Sequence, residues 1–147
     1  YVDLEVYSDD KKDLSTMRYE QFVETYSTII GKACSQLKPD RFAIFVVGEV
    51  RAKNGDYYNF VGETVKAFMN AGMKYYNEMI LVTAIGSLPI RVGRQFKAAR
   101  KIGKTHQNVL VFVKGDGKKA ATACGDVEFG EIEAVDTQSG SAGFDFA

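Results

Sequence analysis

Residues 41–50, RFAIFVVGEV, constrain the fold more than any other stretch: residues 42–47 are apolar without a break, and the run stops at Gly48. A strand with one wet face alternates apolar and polar residues, so an unbroken run is expected of a strand covered on both faces in a parallel sheet. Its flanks agree. Before it, Phe22, Tyr26, Ile29, Ile30, Ala33 and Leu37 recur at a spacing that puts them on one helical face, with Ser15 and Thr16 as candidate N-caps and Lys38-Pro39-Asp40 as the stop. After it, RAKNGDYY reads as a loop, Asp56 as a cap, and Phe60, Val61, Thr64, Val65 and Phe68 as the buried face of a second helix closed by Gly72.

Two further apolar runs follow, residues 79–83 and 109–113, and only a basic segment lies between them. A hairpin with a large insertion fits better there than another helical crossover. Beyond Lys114, GDGKKAATACGD is rich in turn residues, VEFGEIEAV reads as a short edge strand, and residues 132–147 read as a flexible tail or linker. The expectation is an α/β fold: an open, mostly parallel, three-layer sheet with covering helices that ends in an antiparallel hairpin, with ligands bound beyond the carboxyl ends of the strands. A chain of 147 residues, 46% of them hydrophobic, can bury a core of that kind as one domain.

The formal net charge of zero hides a segregation. Residues 85–107 hold Arg91, Arg94, Lys97, Arg100, Lys101 and Lys104 and no acid, which leaves 13 of the 19 bases to face all 19 acids elsewhere. Three readings of this segment are open. It is a solvated loop that offsets acids elsewhere, or a membrane-facing surface, for which Ile90, Val92, Phe96 and Ile102 provide little apolar area. Or it is a phosphate-binding loop, with Gly86, Gly93 and Gly103 for close backbone approach and Ser87, Thr105 and Gln107 as uncharged donors. Nucleic acid is the polyanion that suits such a mixture, and binding of this kind weakens steeply with salt.

Other chemistries find little support. Cys34 and Cys124 have neither CxxC spacing nor a histidine cluster, which argues against a disulfide framework or a zinc site and suits a reducing compartment. The acids Asp3, Glu5, Asp9, Asp10 and Asp13 do not have calcium-loop spacing and read as a solvated loop. No P-loop, dinucleotide fingerprint, nucleophile elbow or metalloprotease motif occurs, and no metal is expected. No apolar run approaches the roughly 20 residues needed to span a bilayer, so a soluble, cytoplasmic protein is expected. His106, the one histidine, reads as a hydrogen-bonding residue at the start of the last strand rather than a base.

Two long segments, FVVGEVRAKNGDYYNFVGETVKAFMNAGMKYYNEMILV and AIGSLPIRVGRQFKAARKIGKTHQNVLVFVKGD, resemble DNA N-methyltransferases of the adenine-N6 or cytosine-N4 type from phage and bacteria. The resemblance runs from Tyr1 to about Glu131 and includes THQNVLVFVK, which is similar to the family's last strand: His, a polar residue, an apolar run, then Lys. It implies a Rossmann-like, S-adenosylmethionine-dependent methyltransferase sheet, present in part over residues 1–131. Tyr1 would be the terminal tyrosine of the catalytic Asp-Pro-Pro-Tyr motif. The Asp-Pro-Pro residues and the Gly-containing cofactor motif are not among the 147, so a further segment or chain would supply them.

The implied chemistry is base flipping: an acid and a backbone carbonyl accept the amino hydrogens, the tyrosine stacks on the base, and a methyl group passes in line from S-adenosylmethionine. The implied partner is double-stranded DNA, and the setting is a bacterial cell or phage-infected host, as in restriction-modification. Arg91, Arg94, Gln95, Lys97, Arg100, Lys101, Lys104 and His106 are the candidate DNA-binding residues, with Gln95 and Gln107 as candidate adenine contacts. The alternative is a non-catalytic nucleic-acid-binding module on a degenerate methyltransferase fold.

Overall fold

The computed structural model describes residues 6–128 and Gly130. Tyr1, the boundary at residue 131 and the proposed tail lie outside the described residues. A 3-10 turn at Leu14–Thr16 precedes α1 (Tyr19–Gln36), β1 (Arg41–Val47), α2 (Phe60–Asn70), β2 (Lys74–Val82), α3 (Leu88–Ala99), β3 (His106–Lys114) and α4 (Gly117–Cys124).

The sheet order is β1-β3-β2, and both pairings to β3 are antiparallel. The expected β2–β3 hairpin is present, but the expectation of a mostly parallel sheet is corrected. β1 and β2 do run in the same direction, joined by the α2 crossover, yet β3 lies between them and takes the hydrogen bonds of both. An apolar run says nothing about which strand will be inserted beside it.

The core lies on one face of the sheet. Leu110 and Phe112 of β3 pack with Phe22, Ile30 and Cys34 of α1 and Phe60, Ala67 and Phe68 of α2. The Phe68 and Phe112 rings stack with centroids 4.1 Å apart. Burial raises the Cys34 thiol above its ordinary pKa, as expected of an inert core cysteine. The Lys114 ammonium donates to the carbonyls of Cys34 at 2.8 Å and Leu37 at 2.7 Å. The final lysine of the apolar strand thereby caps the last carbonyls of α1, at the negative end of its dipole.

The other face is only partly covered among the described residues. Ala120 of α4 is fully buried, but Ile44 and Val46 of β1 are 63% and 49% exposed, so the expectation of cover on both faces of β1 is not met by these residues.

Three local expectations are also corrected. Ser15 and Thr16 do not cap α1: they form the 3-10 turn, which Asp13 caps, and Arg18 precedes α1 without a side-chain cap. Asp56 does not cap α2, because Asn59 occupies the N-cap position and the carboxylate of Glu49 accepts from the amides of Phe60 at 3.0 Å and Val61 at 3.2 Å. GDGKKAATACGD is helical over α4, where Asp116 accepts from the Lys119 amide and so satisfies a free first-turn N–H.

No helix among the described residues is long and apolar enough to cross a membrane.

Candidate nucleic-acid interface

The register brings three strand ends to one edge. Val47 at the end of β1 pairs with Asn108, and Val82 at the end of β2 pairs with His106, the first residue of β3. Loop 48–59 and the basic insertion 83–105 therefore emerge side by side, at the carboxyl ends of β1 and β2 where ligands of α/β sheets bind.

The insertion is mostly helical, which the apolar pattern alone did not show. Ser87 precedes a helix with Pro89 in its first turn, where proline's missing N–H costs nothing. Arg, Gln, Lys and Ala then extend it, and Leu88 and Val92 provide one apolar turn. Arg100 ends the helix in the left-handed region, φ 54°, with its guanidinium 5.2 Å from the Phe96 ring centre. Gly103 allows a close approach, but to α3: a Cβ there would meet Val92 and Leu88 side-chain atoms at 2.7 and 2.8 Å. Gly93 has open space at its Cβ position, so a side chain would fit there.

Loop 48–59 is a compact ribbon. Arg51 bridges to Tyr57, the Ala52 amide donates to the Asp56 carbonyl at 2.9 Å, and the Asp56 amide donates to the Asn54 side chain at 3.0 Å. Arg51 donates to the Gly55 carbonyl at 2.8 Å, and its guanidinium lies 3.8 Å from the centre of the Tyr57 ring. Burial, together with Glu63 and Glu49 nearby, pushes the Tyr19 phenol up to about 12, and its hydroxyl donates to the Tyr58 carbonyl at the base of the loop.

The two loops enclose a cavity of about 300 Å³, lined by Arg51, Tyr57, Arg91, Gln95, Lys104 and Glu49 over an apolar floor of Leu88, Val92 and Ile102. Beside it the Lys101 ammonium packs against Gly55. Arg94 and Lys97 are exposed on α3 and do not line this cavity. His106 begins β3 half-buried, and no side-chain hydrogen bond of it is seen among the described residues. None of the six cations of the insertion forms an ion pair among the described residues, in contrast to Lys66, which pairs with Glu63.

Sequence reasoning brought Arg91, Gln95, Lys101 and Lys104 into the candidate set but missed Arg51 and Tyr57. The signal was available. Gly55, in the left-handed region at φ 91°, suits the last place of a three-residue turn over residues 53–55, and such a turn sets Ala52 against Asp56 and Arg51 against Tyr57.

A second cavity of about 260 Å³ opens at the carboxyl end of β1, lined by Phe22, Tyr26, Phe45, Phe60, Leu14 and Gln107 among others. Its aromatic walls suit a planar ring. Among the described residues no carboxylate lines it, so these residues do not by themselves make a complete site for S-adenosylmethionine, whose ribose hydroxyls and ammonium need acceptors. Among the described residues no group of three or more His, Cys, Asp or Glu is placed to hold a metal ion.

Glu49 ties the site to the fold. Glu49→Ala is expected to lower stability by about 1–2 kcal/mol, because two first-turn amides of α2 lose their acceptor. Urea denaturation reads this directly, and an unchanged midpoint would show that the cap contributes nothing.

No family model matches the chain, and no curated protein does. Two crystal structures of a "Putative DNA Modification Methylase" from Thermus thermophilus have a similar fold. The selenomethionine derivative superposes with a TM-score of 0.53 at 16% identity, and the complex with S-adenosyl-L-methionine with a TM-score of 0.53 at 15% identity. Each match covers 67% of this chain and 39% of that one. About two-thirds of this chain thus shares its fold with about two-fifths of the length of the Thermus protein.

Proposed function

We propose that the chain is the DNA-engaging, catalytic-side part of an S-adenosylmethionine-dependent DNA methyltransferase that modifies an exocyclic amino group of adenine or cytosine. One observation carries this reading: a cationic insertion that forms no ion pair among the described residues sits at the carboxyl-end edge of a methyltransferase-like sheet, beside an aromatic cavity. Uncompensated cations there hold a polyanion by releasing its counterions. An aromatic cavity within the same edge accepts a planar base. The resemblance of the sequence to DNA N-methyltransferases supplies the reaction class, and Tyr1 is proposed as the residue that stacks on the target base.

In this reading the residues of the chain bind and orient DNA. Arg91, Arg94, Lys97, Arg100, Lys101, Lys104 and His106 face the duplex, Gln95 and Gln107 are available to base edges, and the cofactor is held largely by residues beyond those described.

Titration of the purified chain with labelled S-adenosylmethionine, with and without duplex DNA, tests it. Cofactor binding strengthened by DNA is the expected result. DNA binding with no cofactor binding would overturn the enzymatic part and leave a non-catalytic nucleic-acid-binding module.

A further inference from the structure

We infer that the cleft between α3 and the Arg51–Tyr57 ribbon is a site for one sugar–phosphate unit of a nucleic-acid strand, with Arg51 as its anchor. The inference deepens the DNA-binding reading and rests on it for the identity of the strand.

Charge comes first. Three cations, Arg51, Arg91 and Lys104, line one cavity, and Glu49 is its one acid among the described residues. Both Glu49 oxygens already accept amides of the α2 N-terminus, one from Phe60 and one from Val61. That carboxylate is committed to the helix, and the positive end of the helix dipole offsets its charge further. The cleft, which is open to solvent, is left with a net excess of positive charge.

Arg51 is also held in place before any ligand arrives. Its backbone is bridged to Tyr57, one guanidinium nitrogen donates to the Gly55 carbonyl, and the guanidinium carbon lies over the Tyr57 ring, 3.8 Å from its centre. One hydrogen bond leaves most of the five guanidinium N–H donors available, in the fixed fork that matches phosphate oxygens. A side chain already immobilised gives up little entropy on binding, so it contributes more than the free cations on the outer face of α3.

Size and floor decide what the anion carries. A volume of about 300 Å³ exceeds a bare phosphate and falls at the small end of ligand pockets. Leu88, Val92 and Ile102 form a floor that suits the carbon face of a sugar, while Arg51, Arg91 and Lys104 suit the phosphate. Tyr57 is a positioning residue, acting through Arg51.

The test uses the whole chain, with 5'-phosphorylated dithymidylate and inorganic phosphate as NMR probes and a fluorescent duplex titrated across salt concentrations. The dinucleotide is expected to shift the Tyr57 ring and Arg51 side-chain signals, and inorganic phosphate to do so far more weakly. Arg51→Gln is expected to weaken duplex binding about tenfold and to make the slope of log K against log salt shallower by about one. Tyr57→Phe should match the parent and Tyr57→Leu should not, because only the ring is needed to stack. Lys104→Gln, at an exposed residue with no hydrogen bond to lose among the described residues, gives the same slope change if Arg51→Gln fails to fold.

Duplex binding with an unaltered slope in Arg51→Gln and Lys104→Gln, and unmoved Tyr57 signals, would overturn the site and leave the DNA reading intact. Dinucleotide shifts without duplex binding would support the site and overturn the DNA reading. Equal shifts with inorganic phosphate would overturn the sugar–phosphate assignment.

Discussion

Replacement of Arg91, Arg94 and Arg100 together is expected to weaken binding to duplex DNA by roughly a hundred- to a thousand-fold at 0.1 M salt. Each phosphate contact contributes about 0.9 to the slope of log K against log salt, so at 0.1 M each contributes nearly one decade and three contribute close to three. The slope itself should become shallower by about three. The substitutions follow from the backbone: Arg91→Gln and Arg94→Gln keep good helix formers in α3, whereas Arg100 sits at φ 54° and is best replaced by Asn, which tolerates the left-handed region. Fluorescence anisotropy across a salt series measures both quantities, and far-UV circular dichroism checks the fold. Parent-like affinity and slope would show that the insertion is a solvated surface rather than a DNA contact, and the functional reading would fall with it.

Phe112→Ala is expected to cost about 3–5 kcal/mol, the range for truncating a buried aromatic residue. Phe112 is fully buried in the central strand, stacked on Phe68 at 4.1 Å and in contact with Tyr75 at 5.4 Å between ring centres. A cavity there lies between the sheet and α2, where neither layer can collapse without breaking strand pairing on both sides of β3. For a chain of this length the loss is a large part of a typical stability of about 5–15 kcal/mol and lowers the melting temperature by roughly 10 °C. Phe112→Leu keeps most of the volume and should lose far less. Guanidinium denaturation of both variants gives the comparison, and equal midpoints would mean that Phe112 does not fill the core.

Much of the scaffold was legible from residue spacing. Phe22 and Ile30 in α1, and Phe60, Thr64 and Phe68 in α2, follow from helical periodicity and are buried, whereas Ile29 and Ala33, read onto the same face of α1, are exposed because they lie at its margin. The β2–β3 hairpin around a long insertion was legible because two short apolar runs flank a segment too polar to be a covering helix. The same reasoning missed α3 and α4. α3 buries no residue and α4 buries Ala120 alone, so their signal lies in Pro89, Asp116 and good helix formers rather than in an apolar stripe.

The candidate site divides along the same line. Arg91, Gln95, Lys101 and Lys104 stood out because they lie in one acid-free segment, and sequence proximity is a fair guide to shared surface. Arg51, Tyr57 and Glu49 did not, since their part in the cleft depends on a turn and on two loops meeting across the sheet edge.

By itself the sequence determined the periodic elements, the segregation of charge and the resemblance to DNA N-methyltransferases, because each is written in residue type and spacing along one dimension. Only the tertiary structure decided that β3 lies between β1 and β2, that Glu49 rather than Asp56 caps α2, and that Arg51 joins the basic insertion around a cavity. Those outcomes depend on which strand takes which hydrogen bonds, and on which side chains meet once the strands are in register. That is a competition among long-range contacts which no local pattern encodes.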